Sequence, residues 1–297
     1  MRRARRLFAT AVAIASNSLM LAQGLKIDHV TAAGRDLRLM MQALHTVGLP
    51  SEYGGPHANH ATEMAITSFP DGSYLELIAI QRRADPVALA AHPWHAFLEG
   101  NAGPCAWATR PTDIESEMQR LRAESIAVGA LQKDGRQRPD HVQLDWETVG
   151  VGPNRGTFFP FLIHDITPRE RRAYPSGKPT VANWSGIAKI VIGVRDLEGA
   201  VAQFQRAYSL AAPERQEDAD FGARLVWFPG TPVVLATPLT SGSWLDARIR
   251  RFGDGPSAFV LARGKKAAYS VKRGSEWFGK QIAWFNVEAL GWHLGEE

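Results

Sequence analysis

Residues 27–37 read Ile27-Asp28-His29-Val30-Thr31-Ala32-Ala33-Gly34-Arg35-Asp36-Leu37, and residues 187–197 read Ile187-Ala188-Lys189-Ile190-Val191-Ile192-Gly193-Val194-Arg195-Asp196-Leu197. Each stretch is an apolar run with the character of a β-strand, and each closes on Arg-Asp-Leu. The aspartate of that closing triplet is a favoured residue for capping the start of a helix. Apolar residues then recur at helical spacing in both halves. The two stretches therefore each predict a strand followed by a helix.

The similarity between the two halves continues along the chain. Residues 68–78 and 227–235 each read as a strand, a turn with Pro and Gly, and a second strand, which is typical of a β-hairpin. Residues 94–110 and 244–263 each contain a short aromatic segment, a Gly-Pro pair and another apolar strand. Three matches in the same order indicate an internal duplication, with one βαβββ module in each half.

The duplication sets the domain boundaries. Residues 24–165 are interpreted as the first module, extended by an extra helix over 112–123 and an extra hairpin. Residues 166–185 are rich in Pro, Arg, Ser and Gly, a composition that indicates a linker. Residues 186–297 are interpreted as the second, degenerate module.

The amino-terminal segment has the anatomy of a signal peptide. Within residues 1–23, four arginines precede a short, interrupted apolar run, and Arg5-Arg6-Leu7-Phe8 is similar to the twin-arginine export signal of bacteria. This pattern predicts an exported, periplasmic or secreted protein. The alternative is an amphipathic helix that stays attached.

Composition and charge exclude several classes of function. The chain of 297 residues is 45% hydrophobic, but it has no apolar stretch long enough to span a bilayer. Its net charge of +4 belongs to the signal segment, which carries four arginines and no acids, so the rest of the chain is neutral and no nucleic-acid partner is expected. The basic residues in 248–251 are interpreted as a solvated helix face. Because Cys105 is the sole cysteine, an intramolecular disulfide and a thiolate metal cluster are both ruled out.

Several motifs carry a resemblance to a known family. They lie at residues 27–37, 54–57, 72–78 and 135–163, in an order and at a spacing that resemble the glyoxalase-like domain family of the vicinal oxygen chelate superfamily, which also includes bleomycin resistance proteins and extradiol dioxygenases. The resemblance implies an α+β fold of paired βαβββ modules whose curled mixed sheets surround a cleft. It also implies a small molecule as the ligand of that cleft.

The resemblance further implies where a metal ion would be held. Metal-dependent members of the superfamily use a residue on the first strand of a module and a carboxylate on the last strand, and His29 and Glu76 stand at those places. The corresponding residues of the second half, Lys189 and Leu235, offer no ligand. His57, in a loop rich in Gly, Pro and Asn, is the candidate third donor. One divalent ion (Zn, Fe, Mn or Ni) is therefore a candidate cofactor, and a cleft without metal is the open alternative.

Four further residues are candidates for binding a substrate. Arg136 and Arg138 precede a predicted strand, and a guanidinium group can hold a carboxylate through two parallel hydrogen bonds. The alternative is that these arginines form surface ion pairs with neighbouring aspartates. Trp146 and Phe161 can line an apolar pocket, although aromatic residues in strands also serve as core.

Two hypotheses of function follow from these residues. The first is an enzyme, a lyase, isomerase or dioxygenase in which a metal held by His29 and Glu76 polarises an oxygen atom of the substrate. The second is a protein that binds or sequesters a small molecule in the same cleft without metal and without catalysis. Fold alone does not decide between them.

Overall fold

The computed structural model describes residues 25–153, 156–264 and 273–297, so the predicted signal peptide lies outside the described residues. The described residues form two curled, mixed sheets of eight strands each, one sheet in each half of the chain. This architecture confirms the predicted α+β fold of paired βαβββ modules. None of the helices in these residues is long and apolar enough to cross a membrane.

The first sheet has the strand order β2-β3-β4-β1-β5-β8-β7-β6. Its strands are β1 (Ile27–Gly34), β2 (Glu52–Pro56), β3 (Thr62–Ser68), β4 (Tyr74–Ile80), β5 (Gly103–Thr109), β6 (Gln132–Gln137), β7 (Gln143–Val149) and β8 (Phe161–Asp165). The helices of this half are α1 (Leu37–Thr46), α2 (Pro86–Ala90), α3 (His95–Glu99) and α4 (Ile114–Ala123).

The second sheet repeats that order as β10-β11-β12-β9-β13-β16-β15-β14. Its strands are β9 (Trp184–Gly193), β10 (Glu214–Asp218), β11 (Ala223–Trp227), β12 (Val233–Pro238), β13 (Gly255–Arg263), β14 (Arg273–Trp277), β15 (Lys280–Trp284) and β16 (His293–Glu296). The remaining helices are α5 (Arg169–Ala173), α6 (Leu197–Tyr208), α7 (Trp244–Phe252) and α8 (Val287–Leu290).

The first half contains two βαβββ modules rather than the one predicted from the sequence. In the first half, β1-α1-β2-β3-β4 is followed by β5-α4-β6-β7-β8, and the two modules join where β1 pairs antiparallel with β5. The helix and hairpin that the sequence indicated as extra parts are therefore members of a complete second module. The second half likewise joins β9 to β13 in antiparallel pairing. The cleft of a pair is thus built within one half.

The predicted helix starts are confirmed. The Asp36 carboxylate accepts a hydrogen bond from the amide of Leu39 at 3.0 Å, and the Asp196 carboxylate accepts one from Gly199 at 2.9 Å. Both aspartates have extended backbone and immediately precede their helices, α1 and α6. The carboxylates therefore satisfy amide groups that would otherwise have no partner in the first helical turn.

One continuous apolar core joins the two halves. Phe159 from the first half packs against Phe204 and Tyr208 of α6, with ring centroids 5.1 and 6.1 Å apart. Strands β5 and β13 also contact each other across this boundary. The convex side of each sheet is therefore buried in this shared core. The opposite, concave side is the one on which a ligand pocket can form.

The segment predicted to be a linker contributes structure of its own. Residues 169–173 form α5, which turns Arg169 and Arg172 back towards the first sheet. Arg172 is only 4% exposed. One side of the connecting helix is therefore part of the first half's interior.

Arg248 departs from the solvated helix face predicted for 248–251. Its guanidinium donates to the carbonyl oxygens of Ala102 and Pro104 in the first half and to Pro256 in the second. Its neighbour Arg250 is exposed and forms an ion pair with Asp246 one turn earlier. Arg248 is thus a bridge between the halves.

We expect Arg248→Met to destabilise the protein by about 2–3 kcal/mol, because carbonyl groups at the boundary lose their donor. Arg250→Met on the same helix is the matched control and should change stability by about 0.5 kcal/mol or less, since exposed ion pairs contribute little. Chemical denaturation of both variants measures the two values. Equal stabilities would contradict the bridging role of Arg248.

Candidate functional site

A pocket of about 410 Å³ opens on the concave face of the first sheet. Its walls are apolar and include residues from both modules of that half, namely Met64, Ile78, Trp94, Trp146, Phe161 and Ile163. Its floor is polar and consists chiefly of His29, His57, Tyr74, Glu76, Arg136 and Arg172. An apolar cavity with a few convergent polar groups is the usual form of a small-molecule site.

A β-bulge in β1 determines which side chains reach the floor. Ile27 pairs with Thr109 and His29 pairs with Ala108, so Asp28 has no partner residue on β5. An extra residue of this kind breaks the alternation of side chains along a strand. As a result, the Asp28 carboxylate reaches the imidazole of the next residue, and Oδ1 lies 2.6 Å from Nδ1 of His29.

Glu76 lies at the centre of the floor. Parallel pairing of β1 with β4 sets Thr31 beside Glu76, and the Thr31 hydroxyl donates to Oε2 of the carboxylate at 3.0 Å. Nε2 of His29 is 3.8 Å from the same oxygen, and Nε2 of His57 is 3.6 Å from Oε1. The structure therefore brings together the three residues that the sequence singled out as metal-ligand candidates.

His57 reaches Glu76 from the connection between β2 and β3. Its Nδ1 atom shares a hydrogen bond of 2.8 Å with the Thr62 hydroxyl. Burial lowers the pKa of His57, and the opposing effect of the Glu76 charge is smaller. The imidazole of His57 is therefore neutral at pH 7 and does not form an ion pair with the carboxylate.

Asp28 is fully buried between two arginines of α5. Oδ2 of Asp28 accepts from Arg172 at 2.9 Å and also from Arg169, while Oδ1 accepts from Arg172 at 3.1 Å. Burial by itself would raise the pKa of Asp28, but Arg172 and Arg169 together hold it well below its usual range. The carboxylate is therefore ionised. The same arginines also bind Asp165 at the end of β8.

Two aromatic rings fix the plane of the His29 imidazole. The Tyr74 ring stacks on it with centroids 4.8 Å apart and planes only 2° from parallel. The Phe161 ring meets it edge-on at 5.3 Å. Burial raises the pKa of Tyr74, so its hydroxyl stays protonated, and the oxygen accepts a hydrogen bond from Arg172. The imidazole is thus held by rings on two sides and by a carboxylate at Nδ1.

The arginines predicted to bind substrate separate in the structure. Arg136 lines the pocket, is 5% exposed and donates to the carbonyl oxygen of Gly54. Arg138 is engaged elsewhere, with hydrogen bonds of 3.0 and 2.6 Å to Asp140 and one of 2.9 Å to the carbonyl oxygen of Arg171. Trp146 and Phe161 both line the pocket. Three of the four candidates therefore lie together, and Arg138 forms the ion pair that the sequence had left as its alternative.

A resident metal ion needs about three protein donors that converge on it. Across residues 25–153, 156–264 and 273–297, no group of three or more His, Cys, Asp or Glu side chains is arranged so that it can hold a metal ion. His29 and His57 face different oxygens of Glu76 instead of converging with it on one point. The predicted three-ligand set therefore does not fit as built, and a metal cofactor is not confirmed.

In the described part of the second half, the positions equivalent to His29 and Glu76 carry Lys189 and Val234. Thr31 pairs with Glu76 in the first half, and its equivalent Val191 pairs with Val234 in the second. Val234 is therefore the counterpart of Glu76. The choice of Leu235 in the sequence analysis was wrong by one residue. Lys189 forms an ion pair of 2.8 Å with Glu297. Four aromatic residues pack against one another on this face, namely Phe221, Trp244, Trp277 and Trp284. These aromatic side chains pack with Val191 and Val234 in one apolar cluster, where the first half has Thr31 and Glu76.

Sequence reasoning missed the residues that surround the candidates. Asp28 was passed over although it adjoins His29, and Arg169 and Arg172 lie in the segment interpreted as a linker. Their spacing of three residues places both arginines on one side of a short helix. That spacing, within a segment otherwise typical of a loop, was the available signal.

The chain resembles proteins of known structure at low sequence identity. Among solved structures, a hypothetical protein from Staphylococcus aureus aligns with 92% of this chain and 98% of its own, with 12% identity and a TM-score of 0.62. Methylmalonyl-CoA epimerase from Mycobacterium tuberculosis aligns with 38% of this chain and 89% of its own, with 17% identity and a TM-score of 0.33. No functionally curated protein matches.

At 12% identity and a TM-score of 0.62, the likeness to the Staphylococcus aureus protein shows the fold and leaves the reaction open. The family model described as a glyoxalase-like domain matches residues 27–208. That range takes in the whole first half, its pocket and the first strand and helix of the second half. Because the match spans more than half of the 297 residues, the chain belongs to the glyoxalase-like domain family.

Proposed function

We propose that the first half is an enzyme that transfers a proton on a small oxygenated substrate, as an isomerase or a lyase does. The observation that carries the proposal is the Glu76 carboxylate, 8% exposed on the pocket floor, with an imidazole nitrogen 3.6 Å from one oxygen and another 3.8 Å from the other. A buried carboxylate beside imidazoles is a common arrangement for general acid–base catalysis.

The walls of the pocket support a substrate with two different ends. Trp94, Trp146 and Phe161 offer flat apolar surfaces to a hydrocarbon or aromatic part. Arg136 offers N–H donors and a positive charge to a carboxylate or carbonyl oxygen. A volume of about 410 Å³ suits a small metabolite and not a polymer.

The proposed step uses residues of this chain alone. Glu76 removes a proton from the carbon next to a carbonyl or carboxylate group, and the electron pair moves onto the oxygen beside Arg136. Return of a proton to the opposite face of the same carbon gives the epimer, and its return to the neighbouring carbon gives a positional isomer. Loss of a leaving group from the adjacent carbon instead gives an elimination product. The His57 imidazole is neutral at pH 7. No positive charge on His57 therefore neutralises the carboxylate before the substrate arrives.

Binding without catalysis is the second candidate, and one observation favours it. Phe161 and Ile163, which enter the pocket from the last strand of the second module, are apolar and offer no reactive atom. The last strand of the second module therefore contributes no acid or base to the pocket, whereas the last strand of the first module contributes Glu76. A protein that only captures an amphipathic anion would use the same aromatic walls and the same arginine.

Exchange of substrate protons with solvent distinguishes the two candidates. Small 2-oxo acids, hydroxy ketones and aryl-substituted carboxylates are incubated with the protein in D₂O, and loss of the signal of the hydrogen next to the carbonyl group is followed by NMR. We expect the protein to accelerate exchange for at least one compound class and Glu76→Gln to reduce that rate at least ~10²-fold. Glu217→Gln, at an exposed ion pair of the second half, is the control.

Binding without exchange would show that the pocket is a receptor site and that the proposed reaction is wrong. Exchange that survives unchanged in Glu76→Gln would assign the base to another group. Because the donors do not form a three-ligand set, we expect exchange to persist with excess chelator. Zinc, iron, manganese or nickel present in near-stoichiometric amount, and lost in Glu76→Ala, would instead establish the metal-assisted reaction.

The two arginines provide a matched test of substrate recognition. Arg136→Met should weaken binding of carboxylate ligands by about 10- to 100-fold, because a charged hydrogen bond in a buried site is lost. Arg138→Met should leave affinity unchanged, since the Arg138 guanidinium is engaged by Asp140 and backbone oxygens. Calorimetric titration of both variants measures the effect. Equal affinities would remove Arg136 from the binding site.

A further inference from the structure

We infer that Asp28 is a positioning residue that holds His29 in the tautomer with its proton on Nδ1, so that the lone pair on Nε2 faces Glu76. The inference rests on the proposed function, because it assigns His29 the role of accepting the proton that Glu76 removes. Its structural content concerns the resting protein and can be measured without a substrate.

The hydrogen-bond partners of Asp28 decide the tautomer. An ionised carboxylate only accepts hydrogen bonds, and the Asp28 oxygens accept from Arg169, from Arg172 and from Nδ1 of His29. Nδ1 at 2.6 Å must therefore carry a proton. Nε2 is 3.8 Å from Oε2 of Glu76, which is longer than a hydrogen bond. A neutral imidazole in this setting presents a lone pair to the pocket.

The second half shows that the carboxylate is not needed to make the bulge. In β9, Ile187 pairs with Leu261 and Lys189 pairs with Val260, so Ala188 is the unpaired residue at the position of Asp28. The same bulge thus forms around a methyl group. The bulge is thus a feature of the fold that both halves share. The buried carboxylate at the bulge is found in the first half, beside the pocket of His29 and Glu76.

The cost of burying Asp28 supports a role beyond stability. A buried ion pair seldom stabilises more than a well-packed apolar group of similar volume, because desolvation offsets the attraction. Alanine at the equivalent place in β9 is such an apolar solution. In the first half, two arginines from the connecting helix α5 keep a carboxylate ionised at 0% exposure, in direct contact with a pocket imidazole.

Two aromatic contacts oppose a rotation of the imidazole out of this arrangement. Tyr74 is stacked on one face of the ring and the edge of Phe161 lies against it. Nε2 is therefore held towards Glu76 during a catalytic cycle. When Glu76 passes the substrate proton to Nε2, the imidazolium that forms is stabilised by the Asp28 carboxylate, which itself remains ionised.

The test is the protonation state of His29 in the intact protein, measured by NMR on ¹⁵N-histidine-labelled material. Long-range ¹H–¹⁵N correlations distinguish the two tautomers, and the signal missing from His29→Gln assigns the ring. We expect Nδ1–H in the unmodified protein. In Asp28→Asn, the amide oxygen should turn to the arginines and the amide NH₂ group to His29, which moves the proton to Nε2.

Asp165→Asn is the matched control. Asp165 binds the same two arginines but contacts them from β8, so its substitution should lower stability without changing the His29 tautomer. A resting His29 with its proton on Nε2 would overturn the inference, and this holds even if Asp28→Asn fails to fold. An unchanged tautomer in a folded Asp28→Asn variant would overturn it as well.

Kinetics of the exchange reaction add a second readout. Asp28→Asn should lower kcat about 10²-fold with little change in KM, because the imidazole is wrongly protonated while the pocket is intact. A change confined to KM would contradict the role. If the unmodified protein catalyses no exchange, the proposed function fails, but the tautomer measurement still decides whether Asp28 positions His29.

Discussion

The buried charge of Asp28 is the interaction on which the pocket depends. A carboxylate with no exposure to water is tolerated only when it is paired and hydrogen-bonded, and here Arg169 and Arg172 satisfy that requirement. Both arginines come from α5, so the requirement also determines where the connection between the halves must run. The same arginines bind Asp165, which ties β1, β8 and α5 together beneath the pocket floor.

Sequence patterns were informative wherever local chemistry determines structure. Asp36 and Asp196 could be identified as helix starts because a capping hydrogen bond joins residues only three positions apart. The same local motif occurs in both halves, and it therefore made the duplication visible in the sequence. The second module of the first half was not visible. β5 is followed by Arg110-Pro111-Thr112-Asp113, two residues longer than the corresponding turn after β1, and the Arg-Asp-Leu signature is lost.

The candidate site was predictable in part, and the failures have physical causes. Sequence analysis correctly selected four residues of one pocket, because strand position and loop placement can be predicted from sequence. They are His29, His57, Glu76 and Arg136. Leu235 was chosen in place of Val234 because a shift of one residue reverses the face of a strand, and register depends on pairing with a distant strand. Arg172 was missed because the residues it binds, Asp28 and Asp165, are distant or unremarkable in the sequence.

The two halves show how one fold can serve packing or chemistry on the same surface. Both sheets have the same strand order and the same bulge in their first strand, so their backbones present equivalent concave faces. In the second half, tryptophan and phenylalanine side chains pack on that face in a cluster of their own, separate from the core that is shared with the first half. The second half can therefore supply stability, and the first half can retain a cavity and buried charges that cost stability. Chemistry in the first half is thus explained by its own residues and not by the fold.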